Sequence, residues 1–359
     1  MHARTHLPRP AIGLGLLAAI LAAPAAGQTP GRVLVRKGPT VAGDIIAVSP
    51  IGVEVEVKGE QKQVPIESIR EVTFSTEPQS LKAARLAVMR GQYKQALEDL
   101  AKIEPAEMEG VEQLVVDERE FVKAAAIGSL AAASGQNLAA GEKAVRDYLG
   151  KYGQSHHAFW MQELLASLLG QGRKYTEAAA ALAPLDKGPP AYRVRAAAAR
   201  ARLFYDQQKF DEALREFSAA AEAATDPEDA ASNTQKRAAE LGKARCMARQ
   251  GKAAEAVTAV ERILAAADPD DKELLAQAYN VLGEAFRAAG KDQDAIIAFL
   301  TVALVHNTVD DFRAEALYNL VELWDRGKYP QRADEARGEL KSAYPDSIWT
   351  RKLAGGKGS

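Results

Sequence analysis

Five histidines, one cysteine and many carboxylates and arginines are the side chains with which this chain could do chemistry. Catalysis needs such groups at set spacings, and those spacings are missing. There is no Gly-x-x-x-x-Gly-Lys-Ser/Thr phosphate loop, and Gly355-Gly356-Lys357-Gly358 ends in the wrong residue. No His-Glu-x-x-His pair, paired-cysteine zinc pattern or Gly-x-Ser-x-Gly elbow occurs. His2 and His6 fall in the extreme N-terminal stretch. His156 and His157 are adjacent near a helix start. Neighbouring helical residues point roughly 100° apart, so this pair is not expected to share one ion. His306 closes a helical stretch, where a cation suits the dipole. Cys246 has no second cysteine to pair with and sits beside Met247, which predicts packing rather than thiol chemistry. No enzyme centre, metal or cofactor is expected.

The elements that position these side chains follow from composition and period. At 359 residues, 47% hydrophobic and 26% charged, the chain is long enough for a substantial core and ordinary for a folded protein. A formal net charge of -2 disfavours a nucleic-acid binder, which needs a dominating basic stripe. Residues 1–27 read as a secretory signal: His2, Arg4, His6 and Arg9, then apolar Ala11 to Ala23, then small residues up to Gly27. The apolar run is shorter than the roughly 20 residues of a membrane span. The expectation is export to the periplasm or outside the cell, with no integral span after cleavage.

Residues 28–78 change to a period of two. Val33 and Val35, then Val41, Ile45 and Val48, then Val53, Val55 and Val57 mark half-buried strands, with further strands at Val64-Pro65-Ile66 and Ile69 to Phe74. Short strands hide their edges by curling, which predicts a small closed β-barrel. Residues 79–350 return to helical spacing. Leu275, Tyr279, Leu282 and Phe286 form one stripe, a break follows at Ala289-Gly290-Lys291-Asp292, and Ala295, Phe299 and Val302 form a second. Two such helices must close as a hairpin and stack on neighbours. Small residues Ala96, Ala140, Ala178, Ala213, Ala256, Ala295 and Ala333 recur at intervals of about 35 to 44 residues and mark seven copies. Glycines 91, 135, 172, 251 and 290, with Gln208 and Gly327-Lys328, mark turns within copies. Prolines at 105, 189, 190, 227, 269 and 345 punctuate the joins, where aspartates and Ser155 can cap the next helix. Residues 351–359, rich in lysine and glycine, read as a disordered tail.

Leu282-Gly283, Phe286, Gly290, Ala295 and Phe299 resemble the tetratricopeptide repeat (TPR), and residues 28–78 resemble an SH3-like or Sm-like barrel by strand order and by Gly43 and Gly52. Arg200 and Lys243 depart from the repeat, falling where it usually carries leucine. The resemblance implies a mainly α, TPR-like α-solenoid of about seven hairpins, whose first helices line a groove for an extended peptide or a partner's helix. Its groove positions are here Arg195, Arg202, Arg245, Arg249, Gln277, Asn280, Glu284, Arg287, Tyr318, Glu322 and Asp325. The spacing of seven between Arg195 and Arg202, and of four between Arg245 and Arg249, puts each pair on one face. The groove is then basic at mid-chain, which suits an acidic segment held by guanidinium forks. The full lysine and asparagine set of the carboxylate-clamp subfamily is absent. The expected function is a non-enzymatic exported scaffold or adaptor of the cell envelope. The alternatives are a structural, oligomerising element or a regulatory subunit of an envelope enzyme complex.

Overall fold

A computed structural model of the chain describes residues 28–223 and 230–355. The predicted signal, residues 1–27, and the turn at Asp226-Pro227 lie outside the described residues, as do 356–359. Five strands open the fold: β1 (Thr29–Val35), β2 (Val41–Ser49), β3 (Gly52–Val57), β4 (Glu60–Pro65) and β5 (Ile69–Phe74). They form one antiparallel sheet in the order β4-β3-β2-β1-β5. The period of two does its expected work, since Val33, Ile45, Val53 and Val55 are fully buried. Lys58 and Gly59 both take positive φ, 54° and 84°, and make the tight turn between β3 and β4.

The predicted closure into a barrel does not occur. β4 and β5 end the sheet without pairing to each other. The need to hide edges is met by other means. The β4 edge carries exposed Glu60, Gln61, Lys62 and Gln63, polar side chains that discourage strand addition. The sheet is strongly coiled at Gly43, where a Cβ would lie 2.1 Å from the Glu56 carbonyl oxygen of β3. Only glycine permits that approach.

The β module is not a free-standing bead, because its apolar interior runs into that of the first helices. A buried ionic network fixes the join. The Arg85 guanidinium donates to both Glu77 oxygens at 2.7 and 2.8 Å, to Glu71 of β5 at 3.2 Å and to Glu118 at 3.2 Å. Arg85, Glu77 and Glu118 are all buried. Taking one charge away from such a group leaves the others unpaired out of water, so the network rigidly specifies the docking.

Seven antiparallel hairpins follow among the described residues. They are α1 (Gln79–Met89) with α2 (Tyr93–Ala101), α3 (Gln113–Ser134) with α4 (Leu138–Tyr152), and α5 (Ala158–Gln171) with α6 (Tyr175–Ala181). Then come α7 (Pro190–Asp206) with α8 (Phe210–Ala223), α9 (Ala230–Arg249) with α10 (Ala253–Ala265), α11 (Lys272–Ala288) with α12 (Asp292–Leu304), and α13 (Asp310–Arg326) with α14 (Pro330–Ala343). Ala96, Ala178, Ala213, Ala256, Ala295 and Ala333 are each fully buried where second helices cross first helices. Ala140 is not: it is exposed, and its neighbour Gly141 takes the crossing, with room for no Cβ against Ala131. Gly283 shows why the crossing needs small residues. A Cβ there would stand 2.6 Å from the ring of fully buried Phe299. Arg200 and Lys243, at odds with the repeat, keep the register: adjacent Ala201 and Ala244 are fully buried, and Arg200 reaches out to Asp186 at 2.9 Å.

Each hairpin turn has a left-handed residue, though not always the expected glycine, and the α3–α4 turn has two, Gly135 and Asn137. Gly91, Gly135, Gly251 and Gly290 serve as predicted, but Arg173 and Lys328 hold the conformation instead of Gly172 and Gly327, and Gln208 holds it between α7 and α8. Capping also departs from expectation. Asp271, not Asp270, accepts from the Leu274 N–H at 3.1 Å, and the Ser155 hydroxyl bonds Tyr148 instead of capping α5.

The chain does not fray after Pro345. An eighth-pair remnant, α15 (Ile348–Gly355), folds back against α13 and reaches α3. Arg351 donates to the Gly135 carbonyl at 3.0 Å, and Lys94 pairs with Asp346. Residues 351–355, predicted as tail, are therefore helical. No described helix is long and apolar enough to cross a membrane. Cys246 is buried, and burial pushes its thiol up to about 12. His306 is no helix-end cation: it lies beyond α12, stacked on Tyr279 at 5.4 Å, and burial lowers its pKa.

Candidate functional site

First helices α7, α9, α11 and α13 turn one face each to a common concavity of about 980 Å³, and α15 adds two side chains to its lining. Their seven-residue and four-residue spacings repeat on successive helices, so the same face recurs from hairpin to hairpin. Arg202, Arg245, Arg249, Gln277, Glu284, Arg287, Tyr318 and Glu322 all line it. Arg195 lines a smaller neighbouring cavity of about 430 Å³, with Arg202 and Asp206 common to both.

Two of the sequence-derived positions are elsewhere. Asn280 is fully buried, and its amide donates to the Phe312 carbonyl at 2.9 Å and to Glu315 at 3.1 Å. It bolts α11 to α13 and has no freedom to bond a peptide. Asp325 is exposed on the far side and pairs with Arg337 of α14 at 2.8 Å.

The electrostatics also differ from a row of waiting arginines. Arg245 is clamped between Glu284 at 3.1 Å and Glu315 at 2.6 Å, so it joins α9 to α11 and α13. Arg287 pairs with Glu322 at 3.0 Å, and the Tyr318 hydroxyl donates to the same carboxylate at 2.6 Å. Arg195 pairs with Glu163. Two groove arginines have no carboxylate partner among the described residues. Arg202 points into the concavity, where the enclosing walls and the nearby Arg245 charge pull its pKa below the usual range. Arg249 rests over the Phe210 ring at 5.4 Å, which leaves its charge available.

Among the lining residues that sequence reasoning missed, five, besides Arg326, bear on the chemistry of the groove. Glu315 sits seven before Glu322 on α13, so helical spacing alone places it on the groove face. Burial and the Glu284 carboxylate raise its pKa. Tyr205 and Asp206 close α7, and enclosure raises the pKa of both, Tyr205 to about 12. Trp349 and Lys352 come from α15, which spans the expected boundary between the solenoid and a disordered tail from residue 351. The Trp349 ring lies 5.4 Å from Tyr318. In all, six cationic side chains and four carboxylates face the concavity, so its surplus is positive.

No protein-family model and no curated protein sequence matches the chain. Solved structures do. A Rap protein complexed with Competence and Sporulation Factor superposes with a TM-score of 0.50 at 14% identity, over 76% of this chain and 77% of that one. The fold is a TPR-like solenoid. A tetratricopeptide repeat protein from Parabacteroides merdae matches this TPR-like chain with a TM-score of 0.48 at 17% identity, covering 74% of it and 93% of the other. NprR in complex with its cognate peptide NprX gives 0.46 at 12%, over 77% and 80%. The TPR-like part accounts for the helical hairpins, and the open β sheet is an addition at its N-terminal end.

Proposed function

We propose that the concavity captures an extended acidic segment of a partner protein, and that the chain works as a non-enzymatic adaptor. The observation that carries this reading is the pair of guanidinium groups without a carboxylate partner among the described residues, Arg202 and Arg249, in a cavity of about 980 Å³ with surplus positive charge. Guanidinium takes a carboxylate through two parallel N–H···O bonds, and inside a concave wall such bonds are stronger than at an open surface. Tyr205, Tyr318 and Trp349 offer ring faces for apolar side chains between the acids. The clamped arginines Arg245 and Arg287 keep the helices in register, so the ligand meets a preformed surface and less ordering entropy is lost on binding. The Rap protein, similar in fold, was solved with Competence and Sporulation Factor bound, a precedent for a ligand on this architecture.

The site of action in this reading is the cell envelope or beyond, reached through residues 1–27 as a cleaved export signal. Mass spectrometry of protein from fractionated cells tests that part, with a mature N-terminus beside Gly27 as the expected result. The binding part is tested by fluorescence anisotropy with labelled acidic and basic peptides of equal length. The wild type should prefer the acidic peptide, and Arg202→Glu or Arg249→Glu should each weaken it by about tenfold. Equal binding of both peptides, or full affinity in the double variant, overturns the assignment.

A further inference from the structure

Away from the groove, the turn between α4 and α5 brings two imidazoles onto a buried carboxylate. His156, His157 and Glu118 of α3 each offer one ligand atom, and these atoms all lie within 4.8 Å of one another. Adjacent histidines were expected to diverge too far to share an ion. They do not, because they occupy the turn before α5 and not its regular helical part: His157 is the residue flanking Ala158, the first of that helix. The His157 Nε2 meets a Glu118 oxygen at 2.8 Å, and the ring lies flat on Phe121 with centroids 3.3 Å apart. That stacking fixes the imidazole plane. His156 is the odd member: both of its ring nitrogens are shut off from solvent, and neither has a hydrogen-bond partner among the described residues. An enclosed imidazole with nothing on either nitrogen is costly, and native proteins rarely leave one so.

We propose that Glu118, His156 and His157 form a binding site for a divalent transition-metal ion of the zinc class, which ties α3 to the α4–α5 turn. Two imidazoles and one carboxylate are a ligand set for zinc and its neighbours, and nitrogen donors disfavour calcium and magnesium. A tetrahedral ion with bonds of about 2.0–2.1 Å spaces its ligand atoms about 3.4 Å apart, so side-chain rotations of about 1 Å close the site. The surrounding charge favours a dication. Glu71, Glu77 and Glu118 all bond Arg85, three carboxylates on one guanidinium. Arg85 holds one Glu118 oxygen and leaves the other facing His157, which orients the ligand as second partners of metal-bound carboxylates do. The partly exposed side of His157 leaves room for water as a fourth ligand.

The experiment titrates Co2+ into the chelator-treated full chain and reads the visible absorption of four-coordinate cobalt, followed by displacement with Zn2+. One equivalent should give the band in the wild type. His156→Phe keeps the ring shape without the nitrogens and should weaken that equivalent by at least tenfold, with unchanged circular dichroism. His156→Gln, run in parallel, covers the case in which the phenyl ring disturbs folding. Ions held by His2 or His6 would persist in both variants, so the site is read as the difference. A wild type with no such band, or a band of equal affinity in a folded His156 variant, overturns the proposal.

Discussion

Reversing the charge of Arg245 and of Arg202 should have very different structural consequences, although sequence spacing treats the two alike. Arg245→Glu removes a guanidinium that bonds Glu284 at 3.1 Å and Glu315 at 2.6 Å, and puts a third carboxylate in its place. Breaking a buried ion pair from one side costs roughly 3–5 kcal/mol, because the surviving charge stays out of water. The Arg245 side chain is 25% exposed and Glu315 only 6%, which argues for the lower end, about 3 kcal/mol. Proton uptake by Glu315, whose pKa is already raised, limits the loss further. With a urea slope of about 3 kcal/mol per molar, the midpoint should fall by about 1 M. Arg202→Glu breaks no ion pair and relieves the repulsion from Arg245, so its midpoint should stay within about 0.2 M of wild type. Tryptophan fluorescence reports the transition, because Trp324 of α13 and Trp349 of α15 pack in the C-terminal apolar cluster. Equal midpoints for the two variants, or a wild-type midpoint for Arg245→Glu, would refute the division of the arginines into clamps and ligand donors.

Three further outcomes follow from other contacts. Asp206 and Glu315 have raised pKa values, and an acidic ligand raises them further, so binding takes up protons. Affinity for the acidic peptide should therefore rise severalfold from about pH 7.5 to about pH 5.5 at constant ionic strength, and isothermal titration in two buffers should show the uptake. A loss of affinity over that range contradicts the sign. Lys328 holds φ at 60° on an exposed turn, so Lys328→Gly should stabilise the last hairpin by about 1 kcal/mol in thermal melts. Gly141→Val should cost about 1–3 kcal/mol because a Cβ would stand 2.6 Å from that of Ala131, whereas Ala140→Val next to it should be close to neutral.

How far the fold was legible depended on whether a residue's role is set along the chain or across it. The period of 3.6 and the turn signals are properties of neighbours in sequence, and they placed the hairpins around Gly251 and Gly290. The alternation of valines placed the strands in the same way. Closure of the sheet is a relation between β4 and β5, and the alternation of valines does not state it. The polar β4 edge, Glu60 to Gln63, was visible and argued for an open edge, since a strand paired on both sides has less need of such side chains. Gly141 displaced Ala140 for a related reason. Both are small, and only the packing of α4 on α3 and α5 decides which faces inward.

The same distinction governs the charged residues. Helical spacing says which face an arginine occupies and is silent on what stands opposite. Arg195, Arg202, Arg245 and Arg249 look equivalent along the chain, yet Glu163 neutralises the first, two carboxylates from α11 and α13 clamp the third, and the others have no carboxylate partner among the described residues. Partners 32 to 70 residues away decide this, as Arg195 with Glu163 and Arg245 with Glu315 show. A binding surface in a helical solenoid is therefore a remainder. It consists of the charges left over after the stacked helices have satisfied one another, and among the described residues Arg202, Arg249 and Lys352 are what is left on the basic side of this groove. Any substitution that frees a clamped arginine, such as removing Glu284, would enlarge that remainder at the expense of the register that holds it.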